Sequence, residues 1–188
     1  GFTHSANFQY STSTDINRYD RLTDPAGSGL KSAEWYYGPQ KRLLGVYSLE
    51  KENVFANTDF KLDAGYQNVE ESRINRNFGS ANRNNRIEKV AVYSLGANFE
   101  TKLKKGNLYY GIENYYDDLT SSAFRNNINT GVETPLDTRY PNGKNNMMRN
   151  DVYVSYSSRR NEATNFSMGA RAGYATLNST IADNSIMS

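Results

Sequence analysis

The groups in this chain that could do chemistry are short of partners for catalysis. The sole histidine, His4, has no second base or carboxylate near it in sequence, and there is no cysteine to serve as nucleophile or thiolate ligand. Asp117 and Asp118 are the nearest thing to a carboxylate pair. Adjacent strand residues point to opposite faces, however, so the two cannot hold one ion or share one proton. With no nucleophile and base, no metal-ligand cluster and no phosphate-cradling loop, the chain is expected to be neither an enzyme nor the carrier of a metal or cofactor.

What remains is recognition. Arg18, Tyr19 and Arg21 lie close together, Trp35, Tyr36 and Tyr37 follow, and Arg73 and Arg76 open a stretch dense in Arg and Asn that runs to Arg86. Guanidinium groups bind carboxylate or phosphate in bidentate fashion, and aromatic faces hold apolar rings. These eight residues are the candidate ligand-binding set; the Arg/Asn-rich stretch with Arg73 and Arg76 suits an anionic ligand such as a ferric chelate or a lipopolysaccharide phosphate, and the alternatives are a merely solvated stretch there and girdle or loop packing for the aromatic residues.

Such residues need a frame, and composition narrows it. Only 37% of the 188 residues are hydrophobic and the mean hydropathy is -0.80, low for a domain with a large core. Yet 15 Tyr and 8 Phe argue against a disordered polar chain, so apolar residues are hidden by alternation. A net charge of +2, with Lys and Arg scattered, leaves no electrostatic footprint for nucleic acid. No apolar run is long enough for a membrane helix, so any membrane-crossing element must be a strand.

The alternation is explicit. From Ala91 to Leu103 the odd positions are apolar or nearly so and most even ones are small, polar or charged, a period of two. Phe60, Leu62, Ala64 and Tyr66 repeat the pattern, as do Leu108, Tyr110, Ile112 and Tyr116, then Val152, Val154 and Tyr156, then Phe166, Met168, Ala170, Ala172 and Tyr174. Residues 4 to 12 form a further alternating run, and residues 43 to 51 are short and apolar-rich. About seven strands and no helix are expected, with compact turns near residues 52, 105 and 161 and long connections near 15–41, 72–86 and 120–148. Short turns exchanging strictly with long loops is the plan of outer-membrane barrels, with short turns toward the periplasm and long loops outside. The expected fold is therefore all-β, an antiparallel up-and-down meander forming a segment of a transmembrane β-barrel, a single partial barrel domain over residues 1–188. In it Phe60, Leu62, Tyr93, Leu95, Phe99, Ile112 and Met168 face lipid. Asp59, Lys61, Asp63, Gln67, Asn98, Glu100, Glu113, Asp117 and Arg171 face a wet lumen. The competing expectations are a soluble or surface-displayed β-sandwich that binds carbohydrate or host protein, and a small complete eight-stranded barrel.

Gln9-Tyr10-Ser11-Thr12-Ser13, Arg18-Tyr19-Asp20-Arg21-Leu22-Thr23 and Glu34-Trp35-Tyr36-Tyr37-Gly38-Pro39-Gln40-Lys41-Arg42 resemble the barrel of TonB-dependent outer-membrane receptors, particularly the Bacteroidetes type. The resemblance implies a 22-stranded barrel around a plug domain in the outer membrane of a Gram-negative bacterium. It also implies import of a scarce nutrient (siderophore, haem, cobalamin or oligosaccharide) with energy relayed by TonB. No plug precedes the strands, no TonB box is visible, and the end from Ala182 to Ser188 lacks a closing aromatic strand, so a central excerpt of the barrel is expected. Its partners would then be membrane lipid, the imported small molecule and, through other parts of the receptor, the plug and TonB. His4 is placed in neither loop nor plug, which gives haem no support.

Overall fold

The structure, a computed structural model, describes residues 1–161 and 164–182. Of the turn expected near residue 161, residues 159–161 are strand paired with the chain beyond it, Glu162 lies outside the described residues, and so does the end from 183 to 188. Twelve strands occur among them: β1 (Thr3–Thr12), β2 (Ile16–Asn17), β3 (Pro25–Ala26), β4 (Gly29–Leu30), β5 (Ser32–Tyr37), β6 (Lys41–Phe55), β7 (Thr58–Asn77), β8 (Asn82–Leu103), β9 (Gly106–Asn127), β10 (Glu133–Pro135), β11 (Asn145–Asn161) and β12 (Thr164–Ser179). One helical turn, α1 (Tyr19–Leu22), interrupts the first connection, where no helix is expected from the sequence.

The seven long strands form one antiparallel sheet in the order β1-β6-β7-β8-β9-β11-β12, each beside its chain neighbour among the long strands. The meander is open: β1 and β12 are its two edges and do not meet. At the tight end, β6 passes to β7 through Ala56-Asn57, both at positive φ (40° and 58°). Two left-handed residues give the hairpin a twist that matches its strands. The turn is thus smaller than the Glu52–Asn57 expectation, because β6 runs on to Phe55 through an irregularity after Lys51. Lys104-Lys105 joins β8 to β9 with equal economy.

At the other end the strands are longer than their composition suggests. The supposed loop near 72–86 is paired strand except for residues 78–81, with the register running unbroken to Asn75 opposite Asn84. Asn and Arg are poor strand formers in isolation, but here β5 lies along β7 from Asn77 to Arg73 and covers it, so pairing overrides propensity. Likewise β9 extends to Asn127, and β10 pairs back on it, shrinking the third long connection to residues 128–144. At 22 residues each, β8 and β9 span roughly 73 Å at 3.3 Å per residue, about twice what a bilayer needs from a tilted strand.

Among the described residues no second layer covers this sheet. Ile74 is the one buried hydrophobic residue among those described, whereas Tyr93, Leu95, Ile112, Val152, Met168 and Tyr174 are all exposed. The register sorts side chains cleanly. Phe60, Phe99 and Tyr110 line up with Val154 and Ala170; Leu62, Ala97 and Ile112 with Val152 and Ala172; Tyr66, Tyr93 and Tyr116 with Met148. Rings touch along these rows, with Phe99 stacked on Tyr110 at 5.2 Å and Tyr66 against Tyr93 at 5.1 Å. All seven residues expected to face lipid share this one face. Polar pairs interrupt it, among them Asn114 donating to Asn150 at 2.6 Å.

The opposite face is ionic. Lys61 pairs with Glu50 (3.3 Å) and Asp63 (3.6 Å), and Arg171 with Glu113 (2.6 Å) and Asp151 (3.0 Å). The nine residues expected to face a lumen all fall here by register.

Candidate functional site

Beyond the tyrosine rows the sheet rises into an arm built from β7, β8 and β9, against which the first connection folds. β5 pairs antiparallel to β7, with Tyr37 opposite Arg73 and Trp35 opposite Asn75. Strand alternation therefore puts Trp35, Tyr37 and Arg73 on one side, the ionic side of the sheet. Trp35 meets Tyr37 edge to face, centroids 5.2 Å apart at 86°. The Arg73 guanidinium lies 5.1 Å from the Tyr37 ring centre and 5.8 Å from that of Trp35. Arg18 arrives from the start of α1 and lies 5.1 Å from Trp35 and 5.4 Å from Tyr37.

Two guanidinium groups thus share two rings. Arg18 is already fully engaged: it grips Asp20 at 2.7 and 2.5 Å and donates to the Tyr37 hydroxyl at 2.6 Å. That pairing holds the Asp20 carboxyl below the usual carboxylate range. Arg73 is not so committed. Its guanidinium lies against the two rings, and its Nε is buried without a hydrogen-bond partner.

Arg76 lies on the other side of β7, in a separate cluster. Glu34 accepts from Arg76 at 2.8 Å and from Arg83 at 2.8 Å, tying β5 to the β7–β8 hairpin. Burial pushes the Glu34 carboxyl up, but the hydrogen bonds from Arg83 and Arg76 outweigh it and hold the group below its ordinary value. Arg76 is in this way a structural tie and not an open donor. Tyr36 faces the same side as Glu34, opposite Ile74. Tyr19 projects into solvent from α1, and Arg21 pairs there with Asp24 at 3.5 Å. Of the eight candidates, Arg18, Trp35, Tyr37 and Arg73 are brought together, Arg76 is held nearby, and Tyr19, Arg21 and Tyr36 stand apart from the cluster.

Sequence reasoning missed a second feature. Residues 136–144 fold back over the ionic face as a strap, anchored by the Leu136 N–H on Ala123 O (3.3 Å), by Arg86 Nε on Asp137 O (3.3 Å) and by the Gly143 N–H on Thr180 O (3.0 Å). Beneath it opens a recess of about 660 Å³ with Val69, Val90, Leu119 and Met147 in its apolar lining and Glu71, Glu88 and Arg139 above. Only the register, with Glu71 opposite Glu88 and Glu88 opposite Ser121, gathers these residues, and no spacing in the sequence signals it. Among the described residues no set of three or more His, Cys, Asp or Glu stands close enough to hold a metal ion.

No protein-family model, curated protein or solved structure matches the chain.

Proposed function

We propose that this chain is a stretch of wall from an outer-membrane β-barrel, part of a TonB-dependent receptor that imports a scarce nutrient caught by its external arms. One observation carries the wall reading. On the exposed apolar face, the band from Leu108 to Tyr116 on β9 is about nine residues long, the span a tilted strand needs to cross a hydrocarbon core. It ends at a row of charge, where Glu70 takes Lys41 at 3.1 Å and Lys89 at 3.2 Å on that same face. An oily band with rings near both edges and ions just past one of them suits a sheet immersed in a bilayer. A sandwich would need a second sheet about 10 Å away to cover Leu62 and Leu95.

Seven strands are fewer than the eight of the smallest such barrels, so the wall is completed by further strands. The tight turns at Ala56-Asn57 and Lys104-Lys105 then lie at the periplasmic side, and the arm bearing Trp35 and Arg73 outside. The receptor assignment rests on the resemblance at residues 9–42 and on the aromatic–arginine cluster that those residues build. Guanidinium and ring faces suit a ligand combining anionic and flat apolar parts, such as a ferric chelate.

The test places single cysteines at Phe99 and Asn98 in the full-length protein in outer membranes and challenges them with a lipid-phase and a water-phase label. The wall reading requires lipid-phase labelling at Phe99 and water-phase labelling at Asn98. Reversed labelling, or water-phase labelling at both, sinks it. Loss of uptake in an Arg73→Ala, Trp35→Ala double variant with unchanged membrane insertion tests the receptor role separately.

A further inference from the structure

We infer that the recess beneath the 136–144 strap is a binding site for a primary ammonium carried on a short apolar group. Two observations meet there. Glu88, which lines the recess, is buried, 6% exposed, and both of its carboxylate oxygens lack a hydrogen-bond partner. Beside it Val69, Val90 and Leu119 form an apolar floor in a recess of about 660 Å³, room for a small organic molecule.

A buried carboxylate without donors is costly, and such a group in a folded protein calls for a partner that completes it. The nearby cations do not complete Glu88. Arg139 stands 3.8 Å from its Oε2 and 3.9 Å from Glu71 Oε1, beyond hydrogen-bonding distance. Arg73 is spread over the rings of Trp35 and Tyr37, and Arg86 donates to the Asp137 carbonyl. An ammonium offers three donors in a small volume, enough to serve the Glu88 and Glu71 carboxylates, and its chain would lie on the floor. The lining carries three carboxylates, Glu71, Glu88 and Asp117, against one cation, Arg139, a balance that favours a cation over an anion.

The probe is hexylammonium chloride, titrated calorimetrically into the purified full-length protein in lipid nanodiscs, with hexan-1-ol and sodium hexanoate as controls. Hexylammonium should bind saturably and the two controls should not compete. Glu88→Gln, which keeps shape and removes charge, should weaken binding roughly tenfold or more, the scale of a charge-assisted hydrogen bond. Val90→Phe, which fills the floor and leaves Glu88 in place, should abolish it even if the Gln variant does not fold. Binding unchanged in either variant, or hexanol binding as well as hexylammonium, overturns the site. The recess needs nothing from the lipid reading: amine binding together with water-phase labelling at Phe99 would remove the wall and spare the recess.

Discussion

Tyr153 on β11 donates a 2.7 Å hydrogen bond to Asn98 Oδ1 on β8, reaching across the whole of the intervening strand. It can do so because the residue between them in the register is Gly111. A Cβ at that position would lie 2.9 Å from the Tyr153 ring, 3.0 Å from Asn98 Oδ1 and 2.5 Å from the Ala97 carbonyl oxygen. The ring lies flat over the missing side chain, and three strands are latched on the ionic face.

Gly111→Ala is therefore expected to break the latch and force backbone apart, destabilising the folded sheet by about 1–3 kcal/mol, the usual range for overpacking. Tyr153→Phe removes only the hydroxyl and should cost about 1 kcal/mol. Denaturant unfolding in lipid distinguishes them. Equal stability of Gly111→Ala and the parent chain would mean that the ring does not lie where described.

The period-two pattern made the seven long strands legible, and it also put Phe99 and Asn98 on the oily and the ionic face of the sheet, because that division is a local property of each strand. The arm was not legible. Arg73 to Arg86 reads as loop by composition, and its strand character comes from β5 lying alongside it, a contact made by residues forty positions away in sequence. The candidate cluster was half legible for the same reason: spacing could show that Trp35 and Tyr37 share a face, but not that Tyr19 and Arg21 turn to solvent on α1. The recess was beyond reach, since three strands and a strap must assemble before Glu88 has surroundings at all.

Trp35 is the only tryptophan in the chain, so its fluorescence reports on the aromatic–arginine cluster alone. Removing either cation exposes the indole. Arg73→Ala and Arg18→Ala are each expected to shift its emission to the red, and Arg73→Ala to lower stability by about 0.5–2 kcal/mol. Arg21→Ala, which touches neither ring, should leave the spectrum as it was. A red shift in Arg21→Ala equal to the others would show that the cluster is assembled differently.

Glu34 ties two arginines, and its carboxyl is held below its ordinary value of 4.5 in the folded chain. A lowered folded value means that the charged form is favoured by the fold. The stability it contributes is full above the ordinary range and is lost as pH falls through the lowered value. Glu34→Gln should then cost about 1–3 kcal/mol at pH 7, since two arginines lose the charge they share and one of the two acceptor oxygens becomes a donor. The parent chain and variant should converge in acid. Unfolding followed at neutral and acid pH checks both parts, and a constant gap at every pH contradicts the pairing.

Glu88 has the opposite sign. Burial pushes its carboxyl above the ordinary 4.5, with Glu71 adding to the rise and Arg139 opposing it. The fold here favours the neutral acid, so the contribution is present below the ordinary range and is lost as pH rises through the raised value. Glu88→Gln should match the parent chain in acid and exceed its unfolding midpoint at pH 7. An unchanged midpoint at pH 7 would mean that a protein donor already satisfies the carboxylate.

Leu95 sits near the middle of the oily band, opposite Ala64 on β7 and Asn114 on β9, while its neighbour Ser94 points to the ionic face beside Gly65 and Tyr115. The two positions share strand, depth and backbone pairing and differ in the medium each side chain meets. Leu95→Lys is expected to destabilise the sheet in lipid by about 2–4 kcal/mol, the cost of a cation at the bilayer midplane. Ser94→Lys, in a face that already carries Lys61 and Arg149 among carboxylates, should cost less than 1 kcal/mol or so, being screened by water and counterions. Refolding into lipid vesicles across a denaturant series gives both numbers. If the two substitutions cost the same, the exposed apolar face does not meet hydrocarbon, and the band bounded by Lys41, Glu70 and Lys89 needs another cover.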